Sequence, residues 1–335
     1  MVTSDGNGIA ADSATLNTKT ARYPQCWMKF STQNVYPMER ANLARVPPPT
    51  QLRATAPDGT GIAVTDLGGD GPDLLLVHAT GMCGAVLHPM ARRLSAHFRC
   101  VTLDQRAHGD SDRPAGGRFA WTGFAEDVLA VIDSLSLDRP LAFGHSAGGA
   151  ALLLAEERRP GTFAALYCYE PVVYPGDDPL PPSREDNPLA QGALRRRSSF
   201  ESRDAAIRNF SSKPPFDVFD AEVLGAYVDS GFEADGDGSI HLKCAPSDEA
   251  DVYAHGFSHD AFSHLHKVAC PVTLAYGKLT DAFNEHFLAL LAERMPAAEV
   301  LPFHRLGHFG PLQDPAAVAE SIANAAGFRR NTPMP

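Results

Sequence analysis

Four runs of the chain, Leu74–Val77, Cys100–Leu103, Leu141–Phe143 and Ala164–Tyr169, hold almost no charged or strongly polar side chain at any position. A strand with one wet face alternates apolar with polar, so runs like these belong to strands buried on both sides, as in a parallel sheet covered by helices. Segments with helical period follow near 86–96, 122–136 and 147–158. That alternation sets the fold class: α/β, a mostly parallel central sheet flanked by helices. Ile62–Val64 precedes these runs as an early strand, and Pro271–Tyr276 and Val300–Phe303 follow as late ones, with helices near 284–293 and from Pro315. Between Pro171 and Pro271 the texture becomes Pro-rich and charged, with an amphipathic piece at Ala221–Val228 and a D-G-D-G turn at Asp235–Gly238. A stretch that long is no loop, so residues 172–269 are expected to form an inserted helical cap, and 47–171 with 270–335 the core.

Residues 1–46 lack a sustained apolar period and end at Pro47-Pro48-Pro49, which predicts a poorly ordered extension with Met28 or Met38 as an alternative start. Net charge is −11, a balance that repels phosphate backbones, so nucleic acid is not expected as a partner. The basic run Arg195-Arg196-Arg197 reads as a solvated helix face. Six cysteines (Cys26, Cys83, Cys100, Cys168, Cys244 and Cys270) form no C-x-x-C pair, and several fall in apolar runs as free thiols. Together with the lack of a signal-like N-terminus and of any membrane-spanning apolar stretch, they favour a cytoplasmic setting.

Gly144-His145-Ser146-Ala147-Gly148 matches G-x-S-x-G, and it stands where an apolar strand ends and an apolar helix begins. A serine in so tight a turn takes a strained backbone conformation, and positions two before and two after pass too close for a side chain. The turn lifts the hydroxyl above the sheet and aims the helix N-terminus at it, so the Ala147 N–H can stabilise an oxyanion. A phosphate grip is the competing reading, but the Lys-Ser/Thr of a P-loop and a G-x-G-x-x-G are both missing.

A serine hydroxyl needs a base, and His308 lies in the glycine-flanked loop Leu306–Gly310, before a helix that Asp314 and Pro315 can start. His304 is the nearest rival, directly after a strand. The acid that orients the base belongs at the carboxyl end of a core strand, where two carboxylates stand: Asp281 and Glu170. Asp281 could equally cap a helix starting at Ala282. The second oxyanion donor is sought in His78-Ala79-Thr80-Gly81-Met82, as the backbone N–H of Thr80 or Met82, with His78 ordering the loop.

With these motifs the chain resembles the α/β-hydrolase superfamily, specifically its cap-bearing serine hydrolases, over about residues 50 to 330. The likeness rests on His78–Gly81, Asp104-Gln105-Arg106-Ala107-His108-Gly109-Asp110-Ser111, Gly144–Gly149 and Gly307-His308-Phe309. The family's H-G-x appears as His78-Ala79-Thr80 and its R-G-H-G-x-S as Arg106–Ser111. The resemblance implies the order Ser, acid, His, and favours Asp281, since the strand before it most often supplies this group. It also disfavours epoxide and halide chemistry, for which the nucleophile position looks like Asp. The expected function is hydrolysis of a carboxylic ester or lactone of a small, largely apolar molecule, without a cofactor. The alternatives are hydrolytic carbon–carbon cleavage with the same triad and a ligand-sensing protein that retains the fold. Phe200, Phe210, Phe216, Phe219, Tyr227, Phe232 and Phe257 either roof the substrate pocket or form cap core. His255, His259, His264 and His266 cluster without an evident third ligand, so no metal is expected. The sequence does not set the oligomeric state.

Overall fold

The computed structural model describes residues 48–117, 119–174, 183–256 and 258–327. The expected N-terminal extension with Met28, Met38 and Cys26, and Phe257 of the cap, lie outside the described residues. In chain order the first elements are β1 (Thr50–Thr55), β2 (Gly61–Gly68), β3 (Asp73–Val77), α1 (His88–Leu94), β4 (Arg99–Leu103), α2 (Trp121–Ser134), β5 (Leu141–His145), α3 (Ala147–Arg158) and β6 (Ala165–Tyr169). The inserted part holds α4 (Pro188–Leu194), β7 (Ser199–Phe200), α5 (Arg203–Ser211), α6 (Ala221–Gly231), β8 (Phe232–Ala234), β9 (Ile240–Leu242), α7 (Pro246–His255) and α8 (Ala261–His264). The core resumes with β10 (Val272–Gly277), α9 (Glu285–Ala292), β11 (Ala298–Phe303), α10 (Gly310–Gln313) and α11 (Pro315–Ala325).

The eight core strands lie in the order β1-β2-β4-β3-β5-β6-β10-β11. Only the pairings β1 with β2 and β2 with β4 are antiparallel. Burial follows the pleat: Leu75, Val77, Val101, Ala142, Leu166 and Cys168 enter the apolar layer under α2, α3 and α9, whereas Leu74, Leu76, Cys100, Phe143, Tyr167 and Tyr169 enter the one under α1 and α11. Both faces are covered, which is why these strands read as unbroken apolar runs. α3 is buried along nearly its whole length, from Ala147 to Glu156, as its sequence of Ala, Gly and Leu allows. β1 was not foreseen. Five of its six residues are exposed, so this edge strand carries almost no apolar signal.

The insertion is a cap-like region of helical segments, but it also contains a three-stranded antiparallel sheet, β7-β9-β8, which its short strands hid from periodicity. Arg113 Nε binds Asp248 at 2.9 Å, Lys243 Nζ binds Asp110 Oδ1 at 2.5 Å, and Trp121 Nε1 donates to Val252 O at 3.0 Å, tying insertion to core. One expectation fails here, and one open choice is decided. Arg196 is no solvated helix residue: it follows α4, its side chain is 15% exposed, and it donates to Glu249 and to the Tyr227 hydroxyl. The aromatic residues from Phe200 to Phe232 mostly pack on one another, Phe210 touching Phe200, Phe216, Tyr227 and Phe232, so they form the interior of the insertion. Phe219 also reaches the loop carrying His308, with its ring 5.4 Å from that of Phe309.

Beneath the site, Arg106 is locked by Asp127, with Nε to Oδ2 at 2.7 Å and Nη2 to Oδ1 at 2.6 Å, the side chains being 2% and 1% exposed. Removing one partner strands a charge in the interior, so Asp127→Ala should cost about 3–5 kcal/mol. Urea unfolding checks this. An unchanged midpoint would mean that Asp58, 3.1 Å from Arg106 Nη1, suffices as counterion.

Candidate active site

Ser146 sits between the end of β5 and the start of α3 with φ 55° and ψ −114°, a conformation that L residues rarely adopt. The flanking glycines explain how the chain tolerates it. A Cβ on Gly144 would stand 2.6 Å from the Gly148 backbone, and one on Gly148 would stand 2.3 Å from Val77 O. Ser146 N donates to Tyr169 O at 2.9 Å, and Ala150 N donates to Ser146 O at 3.1 Å, so bonds on both sides of the residue hold the strained turn. Ala147 opens the helix, and its N–H has no intrahelical acceptor.

The loop after β3 is fixed from below by two neutral histidines. His78 Nδ1–H donates to Ala79 O at 2.8 Å and Nε2 accepts from Gln105 N at 2.9 Å, while the Gln105 amide donates to His78 O. His108 Nε2 accepts from Gly81 N at 3.0 Å, and its Nδ1–H donates to Arg106 O at 2.9 Å. Met82 N donates to Ala79 O at 3.2 Å, so this candidate oxyanion donor is already spent. Thr80 N–H is left with no acceptor among the described residues. His78, expected to order the loop, makes its bonds to Ala79 and Gln105 there.

Burial drives the pKa of His78 down to about 3 and lowers His108 and His145 too, which keeps each ring in the one-donor, one-acceptor form these bonds require. The sign of the linked stability follows. Below about pH 6.5 the unfolded chain takes up protons that the native rings refuse, so stability is full above that pH and falls as pH drops toward 3. For His78 the slope approaches about 1.4 kcal/mol per pH unit across that range. The thermal midpoint should therefore drop between pH 7 and pH 5, and a flat profile would contradict neutral burial.

His308 lies in the loop between β11 and α10, and its Nδ1–H donates to Glu170 Oε2 at 2.7 Å. Glu170 directly follows β6, is fully buried, and has φ 45°. Its other contacts come from Gly277 N to Oε1 at 2.9 Å and from the Thr280 hydroxyl to Oε2 at 2.9 Å. His308 thus meets Glu170 and not the favoured Asp281, which is exposed in a bend after β10 with no hydrogen bond to His308 among the described residues, and the cap of α9 is Asn284 rather than Asp281. Thr280 and Gly277, from the loop expected to supply the acid, supply donors to Glu170 instead. His308 also lies against the serine turn, its ring centroid 5.1 Å from that of His145, the residue before Ser146. His304 is exposed in the turn after β11.

Of the cap histidines, His259 stacks on Trp121 and His255 is exposed. His264 Nδ1 lies 3.3 Å from both Glu157 and Asp260, on the far side of α3 from its Ser146 end. A cavity of about 460 Å³ lined by Leu74, Leu141, Ala142 and Val272 opens at the amino ends of the strands, opposite Ser146, and takes no part in the site. Among the described residues no helix is long and apolar enough to cross a membrane. The five described cysteines are buried free thiols.

Residues 74–321 match the profile of the "Alpha/beta hydrolase family". The chain is 23% identical over 256 residues to 2-(acetamidomethylene)succinate hydrolase of Mesorhizobium japonicum, covering 76% of this chain and 88% of that protein. It is 26% identical over 272 residues to pimeloyl-[acyl-carrier protein] methyl ester esterase of Aeromonas salmonicida, covering 76% and 95%. Among solved structures, E-2-(acetamidomethylene)succinate hydrolase superposes with a TM-score of 0.69 at 21% identity, covering 83% of this chain and 99% of that one.

Proposed function

Because this chain belongs to the alpha/beta hydrolase family, we propose that it hydrolyses a carboxylic ester or lactone of a small molecule through an acyl-enzyme on Ser146. The observation that carries the reading is the 2.7 Å bond from His308 to Glu170 beside the serine turn. With Nδ1 occupied as a donor, Nε2 is the basic nitrogen that can take the Ser146 proton as Oγ attacks the acyl carbon. The carbonyl oxygen becomes an oxyanion held by the N–H groups of Ala147, at the start of α3, and Thr80, in the loop after β3. Collapse breaks the bond to the leaving oxygen, which receives the proton from His308. A water molecule then loses a proton to His308 and attacks the acyl carbon; the bond to Oγ breaks, the carboxylic acid leaves, and His308 returns the proton to Ser146. Glu170 holds the tautomer and balances the imidazolium charge.

A relative named as a methyl ester esterase supports an ester as the scissile group. The test combines a fluorophosphonate probe with aryl esters of graded chain length, a lactone and a 1,3-diketone. Labelling mapped to Ser146, with turnover of esters or lactone, is the expected result. No label on the wild type would sink the reading, and turnover confined to the diketone would move it to carbon–carbon cleavage.

A further inference from the structure

Resting on the reading of Ser146, Glu170 and His308 above, we propose that His145 and Tyr169 are positioning residues that hold two successive carbonyls of the His308 loop. β5 and β6 are parallel neighbours, and His145 pairs in register with Tyr169. Each strand runs one residue further into a sharp turn, Ser146 at φ 55° and Glu170 at φ 45°. The nucleophile and the acid are thus each preceded by the last side chain of their strand, and both of those side chains reach the same loop. Tyr169 Oη–H donates to Gly307 O at 2.9 Å. His145 Nε2–H donates to His308 O at 2.8 Å. Gly310 makes room for this, because a Cβ there would stand 2.1 Å from the Tyr169 hydroxyl.

His145 is wholly buried, edge-on to Tyr169 and Phe309. A carbonyl accepts only, so the ring proton must be on Nε2, which leaves the Nδ1 lone pair bare, and that buried atom has no partner among the described residues. An apolar residue of the same shape would avoid that unmet lone pair. The feature that sets a histidine apart at this position is therefore its bond to His308 O. Burial and the neighbouring His308 also hold His145 well below the ordinary imidazole range, so it keeps a single ring proton. Pinning both carbonyls fixes the backbone from which the His308 ring projects, while Glu170 fixes the ring's rotation through Nδ1 and leaves Nε2 free. The sites of proton acceptance and attack are then set by the same two strands.

The test uses the full chain with His145→Leu, His145→Gln, Tyr169→Phe and Glu170→Gln, read by kinetics on an ester turned over by the wild type and by the low-field proton resonance of His308 Nδ1–H. His145→Leu should lower kcat about 10²-fold, the scale of an ångström's misplacement of a reacting group. KM should change less than about threefold, since substrate contacts are untouched. His145→Gln, whose amide nitrogen can stand where Nε2 does, should recover to within about tenfold of wild type. Tyr169→Phe should lose about tenfold in kcat. The resonance should vanish in Glu170→Gln, which identifies it, shift or broaden in His145→Leu and Tyr169→Phe, and persist in His145→Gln. Wild-type kcat and an unmoved resonance in His145→Leu, or equal impairment of the Gln and Leu variants, would overturn the proposal. If the Leu variant does not fold, Tyr169→Phe, which deletes one hydroxyl, decides. A wild type inactive on every ester but showing the resonance would remove the proposed reaction while the spectroscopic arm still tests the positioning.

Discussion

Exchanging Glu170 for glutamine is expected to lower kcat by about 10³- to 10⁴-fold, whereas Asp281→Asn should leave it within about twofold. The difference follows from what each oxygen of Glu170 receives. Oε1 takes Gly277 N–H, and Oε2 takes both the Thr280 hydroxyl and His308 Nδ1–H. A glutamine has one acceptor oxygen and one NH₂. The Gly277 N–H cannot turn away, but the Thr280 hydroxyl can rotate to accept, so the NH₂ group settles on the side of His308. The imidazole then meets a donor at Nδ1, its proton moves to Nε2, and the nitrogen needed as base is no longer basic. Steady-state kinetics of the two variants side by side is the measurement. A normal Glu170→Gln enzyme with a crippled Asp281→Asn would return the acid to the loop after β10.

Ser146→Ala should reduce kcat by about 10⁶-fold and abolish fluorophosphonate labelling, leaving only the weak assistance of the amides and binding. Its stability should stay within about 0.5 kcal/mol of wild type, because alanine keeps the Cβ and so keeps the strain at φ 55°. Ser146→Gly should be equally inactive yet gain about 1 kcal/mol, since glycine reaches that conformation freely. Activity and urea unfolding on the same samples check both. A serine variant retaining turnover would place the reaction elsewhere in the molecule. A glycine variant no more stable than the alanine one would mean that the turn is not strained.

The serine turn was legible because its physics is local: glycines at 144 and 148, a strand before and a helix after all lie within a dozen residues. The acid was not. Glu170 and Asp281 both follow core strands, and choosing between them depends on which carboxylate the neighbouring strands β6 and β10 bring to His308. The reading of Arg196 failed for a similar reason, as its partner Glu249 lies on α7, about fifty residues further along the chain. Met82 failed on a finer point, because whether an amide is free depends on a turn bond to Ala79 O that no residue type announces. His145 and Tyr169 read only as a motif's variable position and the end of an apolar strand, although each donates to a carbonyl of the loop that carries His308.

By itself the sequence determined the covered parallel sheet, the sharp turn that presents Ser146 and the loop that carries His308, because apolar period and glycine placement act over a few residues and need no distant partner. Only the tertiary structure decided that Glu170 meets His308, that Thr80 rather than Met82 keeps a free amide, and that the insertion's aromatic rings face each other. Those choices are made by which groups the strand order and the loops bring within hydrogen-bonding or packing distance, and that is a property of the whole arrangement rather than of any segment.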